Sequence, residues 1–255
     1  MRCACLRNIC ATVVLRNKNM PPLLEIKELI TVFDTHHGRI KAVDGVSLSL
    51  QLGKTLGIVG ESGCGKTILA LSIMRLIPTN GSIINGTISL RGQDLLKLSS
   101  DEIRAKRGSE IAMVFQEPMT SLNPVFRVGE QIAEAIRLHQ KLSAKEAFTL
   151  SIEQLREVGI SDPKRRAQDY PHQLSGGMRQ RVMVAMAMSC HPQLLLADEP
   201  TTALDVTIQT QILDLISDLK KKNNMAVILI THDLGIVAQA AENVAIMYAG
   251  KIMEN

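Results

Sequence analysis

The chain has 255 residues, 45% hydrophobic and 21% charged, which excludes a disordered or fibrous protein and suits one large domain with a substantial core. Aromatics make up only 2% with no Trp, which weakens any case for a base-stacking nucleic-acid platform. The net charge of +4 is too slight to argue for DNA binding, and no apolar run approaches the roughly 18 residues of a membrane span.

Residues 1–19 read unlike the rest. Cys3, Cys5, Cys10 and a short apolar run over residues 9–15 precede Met20-Pro21-Pro22. The run is short for a secretory signal, and no good small-residue cleavage site follows it. This segment is expected to be disordered, or to precede the true start at Met20. With Cys64 and Cys190 the chain has five cysteines and no C-x-x-C pair, so metal-site spacing is absent and reduced, cytosolic thiols fit.

Strands are predicted over residues 23–29 and 43–50, the second alternating with period two from Val46 to Leu50. A turn at residues 51–54 leads to an apolar strand at 55–59, a glycine-rich loop at 60–67 and a helix at 68–76. Further strands are expected at 83–90 and 110–115. The pattern then turns helical, at 128–138, at 144–158 behind a Ser143/Glu146 capping box, and at 177–190. The remainder reads as strand 193–197, helix 206–222, strand 226–231, helix 234–241 and strand 244–248. Such alternation predicts an α/β core of mostly parallel strands, with a small antiparallel β region early and a helical subdomain inserted at about 117–190.

The loop Gly60-Glu61-Ser62-Gly63-Cys64-Gly65-Lys66-Thr67 fits G-x-x-x-x-G-K-[ST], and Ile68 continues it into the helix. Its glycines let successive N–H groups converge on an anion, and the following helix aims its positive end at the same point. Lys66 supplies charge for β- and γ-phosphates, and Thr67 a hydroxyl for Mg²⁺. Leu194-Leu195-Leu196-Ala197 forms a buried strand that delivers Asp198 and Glu199 at its carboxyl end, where ligands sit in open α/β sheets. Asp198 is placed to hold Mg²⁺ and Glu199 to act as general base on a water. Leu174-Ser175-Gly176-Gly177-Met178 precedes a long helix and forms a second anion-binding helix start.

Leu174 to Arg181 closely resembles the signature motif of ABC transporter ATPases, and with the two other motifs the resemblance covers the chain from about Leu23 onward. It implies a P-loop NTPase (RecA-like) core over residues 20–255, with ATP and Mg²⁺ as substrate and cofactor. It further implies a Q-loop glutamine at Gln116 contacting the metal and water, a switch histidine at His232, and a D-loop at Thr202-Ala203-Leu204-Asp205. Phe33 is the candidate adenine-stacking aromatic, with a core role as its alternative and His36 or His37 as other candidates; the remaining histidines read as structural. In this family two cassettes pair head to tail, so Ser175, Gly176 and Gly177 would serve the partner's ATP. Catalysis would then rest on positioning and charge stabilisation.

The Leu-Ser-Gly-Gly-Met signature and residues 116–124 resemble bacterial dipeptide and oligopeptide importer ATPases, the class that pairs with a second, different ATPase; nickel importers share the pattern. The resemblance implies a membrane permease pair, an external binding protein, a peripheral position on the cytoplasmic face of the membrane, and no nucleic-acid partner. Members of this branch usually continue well past residue 248, so a truncated form is expected. A soluble ABC ATPase of translation or DNA repair is the alternative, though no second cassette or zinc module is visible. A GTPase would need Asn-Lys-x-Asp, and the only Asn-Lys pair, Asn17-Lys18, lacks that continuation.

Overall fold

The computed structural model describes residues 21–36, 38–117, 121–202 and 204–254. The expectations for residues 1–19, for His37 and for Ala203 lie outside them. A four-stranded antiparallel sheet is built from β1 (Leu24–Thr35), β2 (Gly38–Leu50), β4 (Gly81–Leu90) and β5 (Gln93–Asp94), in the order β2-β1-β4-β5. A six-stranded sheet has the order β10-β9-β3-β8-β7-β6, from β3 (Thr55–Val59), β6 (Ile111–Val114), β7 (Leu194–Asp198), β8 (Ala226–Thr231), β9 (Asn243–Tyr248) and β10 (Lys251–Glu254). All its pairings are parallel except the edge pair β9–β10.

The strands β3, β6, β7 and β8 are buried at every residue, which explains why they read as continuous apolar runs. Their alternate side chains feed two cores. Leu194, Leu196, Ile228 and Ile230 face α1 (Lys66–Met74) and the antiparallel sheet. Leu195, Ala197, Val227 and Leu229 face a helical layer. That layer contains α3 (Val128–Gln140), α4 (Ala144–Glu157), α6 (Gly176–Met188) and α7 (Val206–Asn223). The helices α3, α4, α5 (Pro163–Arg166) and α6 all lie between β6 and β7 in the chain, as the sequence pattern predicts. No helix among the described residues is long and apolar enough to cross a membrane.

The structure departs from the sequence reading mainly at short elements. The first hairpin is longer than expected, because β1 and β2 continue pairing to Thr35 and Gly38 through register shifts. One shift falls at Glu28 in β1, whose φ of 48° marks a local irregularity of the strand. The helix α2 (Ser100–Lys106) and the strands β5 and β10 were not expected. The signature helix starts at Gly176, one residue early, and α1 starts at Lys66 rather than Ile68.

At the amino ends of the parallel strands one polar cluster joins three elements. The Thr55 N–H donates to Glu242 Oε2 at 2.6 Å, and Lys220 Nζ on α7 donates to Glu242 Oε1 at 2.8 Å and Thr55 Oγ1 at 2.9 Å. Burial pushes the Glu242 carboxyl up, but the Lys220 ammonium and the Thr55 N–H together hold it below its ordinary value. A depressed carboxyl stabilises the fold above its unfolded pKa, and that contribution is lost as pH falls through the lower folded value. Glu242→Gln should therefore lower stability at neutral pH by on the order of 1 kcal/mol, a modest figure because Glu242 is 41% exposed and water screens the pair. Thermal melts from about pH 7 down to about pH 3 should show the variant and wild type converging in acid. A constant gap across that range would refute the assignment.

Candidate functional site

Every candidate group after β3, β6, β7 and β8 emerges at the carboxyl edge of the sheet, because these strands are parallel neighbours. Val59 is level with Thr231, Asp198 with Ile230, and Val114 with Ala197. The phosphate loop, Gln116, Asp198-Glu199 and His232 are therefore brought to one edge by topology alone.

The loop is shaped by glycines at two points of close approach. Gly65, at φ 108°, ends the loop in the left-handed region just before α1. A Cβ there would overlap the Ala42 carbonyl oxygen and lie 2.9 Å from Met247 Cε. A Cβ on Gly60 would overlap the Met247 carbonyl oxygen and lie 2.7 Å from Cys64 Sγ. The loop is thus clamped between β2 and β9, and the Gly250 N–H adds a bond to the Cys64 carbonyl at 2.9 Å. Lys66 is buried, and its Nζ donates to the Gly60 and Glu61 carbonyls at 2.7 and 2.8 Å, with Cys64 Sγ at 3.8 Å. Its charge sits in the mouth of the loop, ahead of the positive end of α1.

Asp198 is buried, and its Oδ1 has no hydrogen-bond partner among the described residues. Burial pushes its carboxyl up; the hydrogen bond with the Thr67 side chain opposes this, the Glu199 charge adds to it, and the Lys66 charge opposes it. A buried carboxylate oxygen without a donor is costly, and beside a threonine hydroxyl at a phosphate loop it fits a hard divalent cation.

Glu199 follows in a strained turn. Its φ of 44° is unusual for a residue with a Cβ and costs roughly 1 kcal/mol or more. Its N–H bonds the Ile230 carbonyl at 2.9 Å, which ties the turn to β8. The carboxylate is ringed by polar groups. Oε2 accepts from Gln116 Nε2 at 3.0 Å and from Thr202 Oγ1 at 2.8 Å, while Oε1 lies 3.3 Å from His232 Nδ1. Glu199 is 14% exposed and His232 63% exposed, so the base is recessed and the histidine stands at the rim. Sequence reasoning missed Thr202 as a contact of Glu199. The only available signal was its place three residues on, the spacing at which a turn returns a hydroxyl.

Ser175, Gly176 and Gly177 sit apart from this cluster, at the start of α6. Ser175 caps the helix, its Oγ accepting from the Met178 N–H at 3.3 Å, and it is exposed along with Gly176. Gly177 backs onto α7, where a Cβ would meet Ile208 Cγ2 at 2.9 Å. Asp205 caps α7 through the Ile208 N–H at 2.9 Å. Phe33 is half-buried, its ring set against Gly81 on the neighbouring strand, and His36 is exposed. Among the other histidines, His172 stacks on Tyr170 with centroids 5.7 Å apart, and His191 bonds Asn223 at 3.2 Å.

The ABC transporter family profile matches residues 43–202, which takes in the phosphate loop, the signature and the Asp198-Glu199 strand. The chain belongs to the ABC transporter family. A probable peptide ABC transporter ATP-binding protein of Sinorhizobium fredii is 53% identical, covering 91% of this chain and 70% of the relative. Dipeptide transport ATP-binding protein DppD of Bacillus subtilis is 51% identical over 92% and 70%. Oligopeptide transport ATP-binding protein OppD of Escherichia coli is 49% identical over 96% and 72%. Among solved structures, a dimeric ATP-binding cassette in a post-hydrolysis state with ADP and Pi aligns with a TM-score of 0.81 at 27% identity, covering 91% of this chain and 97% of that one. Within the ABC family, then, this chain is an ATPase cassette, and its α/β core with a small antiparallel sheet is the cassette fold.

Proposed function

We propose that this ABC cassette is the ATP-hydrolysing motor of a bacterial importer whose cargo is di- and oligopeptides. The observation that carries the catalytic part is the recessed Glu199 carboxylate, held by Gln116 and Thr202 and facing His232, beside a phosphate loop. The peptide relatives carry the cargo.

Residues 60–68 wrap the phosphates with backbone N–H groups, and Lys66 neutralises the β- and γ-phosphates. Phe33 stacks on the adenine. Thr67, Asp198 and Gln116 would hold Mg²⁺, which when bound would neutralise negative charge on the phosphates. Glu199 takes a proton from the attacking water, and His232 steadies the γ-phosphate side of the site. Ser175, Gly176 and Gly177, exposed at the start of α6, complete the ATP site of a second, different cassette arranged head to tail, with Asp205 at the crossing between the two.

The helical subdomain at about 117–190 and the Gln116 loop grip a pair of membrane permeases, which an external binding protein supplies. The chain works peripherally at the cytoplasmic membrane face and without nucleic acid.

The test is ATP turnover by the purified chain alone and mixed with candidate partner ATPases, followed by peptide uptake in vesicles carrying the permeases. Stimulation by one partner and ATP-dependent peptide uptake are the expected results. Strong turnover that no partner changes would count against the heterodimeric importer. Uptake of nickel but not peptide would replace the cargo.

A further inference from the structure

We propose that Thr202 is a positioning residue for hydrolysis, its hydroxyl locking the Glu199 carboxylate so that Oε1 alone is presented to the attacking water. The inference rests on the reading of Glu199 as the general base.

Thr202 Oγ1 donates to Glu199 Oε2 at 2.8 Å, and Gln116 Nε2 donates to the same oxygen at 3.0 Å. Two donors converge on Oε2, as many as its two lone pairs can accept. The other oxygen, Oε1, faces the rim, where His232 Nδ1 lies 3.3 Å away. Proton acceptance is thereby assigned to one oxygen of a symmetric group.

The two donors are not equivalent. Gln116 reaches across from the exposed loop after β6, so its bond depends on how that loop sits. Thr202 belongs to the same turn as Glu199, and its N–H donates to the Glu199 carbonyl at 3.1 Å. The backbone bond fixes where the Thr202 hydroxyl starts, and β-branching narrows its rotamers. The Glu199 backbone is itself pinned at φ 44° through its bond to Ile230. Thr202 therefore holds the carboxylate even when the Gln116 bond is open.

Removing the hydroxyl while keeping the shape leaves Glu199 free to rotate out of line. A misplacement of about 1 Å in an attacking geometry costs on the order of a hundredfold. Thr202 is not among the groups read as holding the phosphates or the metal, so ATP affinity should not change.

The experiment is steady-state MgATP turnover by the full chain assembled with its partner cassette, comparing Thr202→Val, Thr202→Ser and Glu199→Gln, with melting temperature as a folding control. Thr202→Val should lower kcat about ten- to a hundredfold with KM for ATP within about twofold of wild type, and Thr202→Ser should restore kcat to within about threefold. If Thr202→Val does not fold, Thr202→Ala is measured against Thr202→Ser in the same way. Wild-type kcat in the variant lacking the hydroxyl, or failure of Ser to rescue, would overturn the positioning role while Glu199→Gln stays inactive. Full turnover in Glu199→Gln would instead overturn the general-base reading.

Discussion

Glu199→Gln is expected to lower steady-state ATP turnover by about 10²- to 10⁴-fold, the range associated with loss of a positioned general base. ATP binding should survive, because the proposed phosphate contacts are the loop and Lys66, not Glu199. The substitution is close to isosteric, and the surrounding bonds decide how it sits. Gln116 and Thr202 both donate toward Oε2, so the new amide turns its oxygen to them. Its NH₂ then faces His232 Nδ1, a ring nitrogen that can accept. The network stays satisfied and the fold should be unchanged, while the atom that would take the water's proton has no basicity left. Phosphate release and nucleotide affinity, measured on the same preparation, test both halves. Turnover within a few-fold of wild type would remove Glu199 from the chemistry.

How much of this could be read before the structure depends on what signal each part leaves in the chain. Strands buried on both faces leave a strong one, so residues 55–59 and 226–231 coincide with β3 and β8. Parallel alternation then places four loop ends at one edge, and the fold class and the cluster of Lys66, Gln116, Asp198, Glu199 and His232 follow from it. Short elements with one-sided burial leave little. The helix α2 buries only Ile103, and although its Ser99/Glu102 capping box stands in the sequence, seven residues gave no periodicity to notice. The strand β10 pairs only with β9 and is four residues long.

Long-range contacts leave no local signal at all. Gly60 reads as a loop glycine, but the Met247 carbonyl that excludes a side chain there comes from a strand far along the chain. Likewise Thr55, Lys220 and Glu242 look like three unrelated surface residues until the sheet brings them together. Thr202 is nearer to legible, since it lies three residues beyond Glu199. Even so, the direction of its hydroxyl is set by the left-handed turn at Glu199, which no pattern of residue types announces.

Asp198→Asn should separate function from stability in opposite directions. Turnover with MgATP should fall at least a hundredfold, as a site that loses its carboxylate loses the oxygen suited to a hard cation. The fold, measured without nucleotide or divalent cation, should become more stable. Two effects favour the charged Asp198 in the folded chain, the Thr67 hydrogen bond and the Lys66 charge, and two oppose it, burial and the Glu199 charge. Burial is the largest, and the balance disfavours the charge. Oδ1 also has no donor, and leaving a buried acceptor unpaired costs about 1–3 kcal/mol. Asn removes the charge but puts an amide N–H₂ in the same pocket, so only part of that cost is recovered. A gain of about 1 kcal/mol, or about 2–4 °C in melting temperature for a chain of this size, is the expected result. A lower melting temperature would mean that the Thr67 and Lys66 attractions exceed the cost of burial. It would also mean that Asp198 is kept in place by its neighbours, and that its unpaired oxygen carries no energetic mark of a cation site.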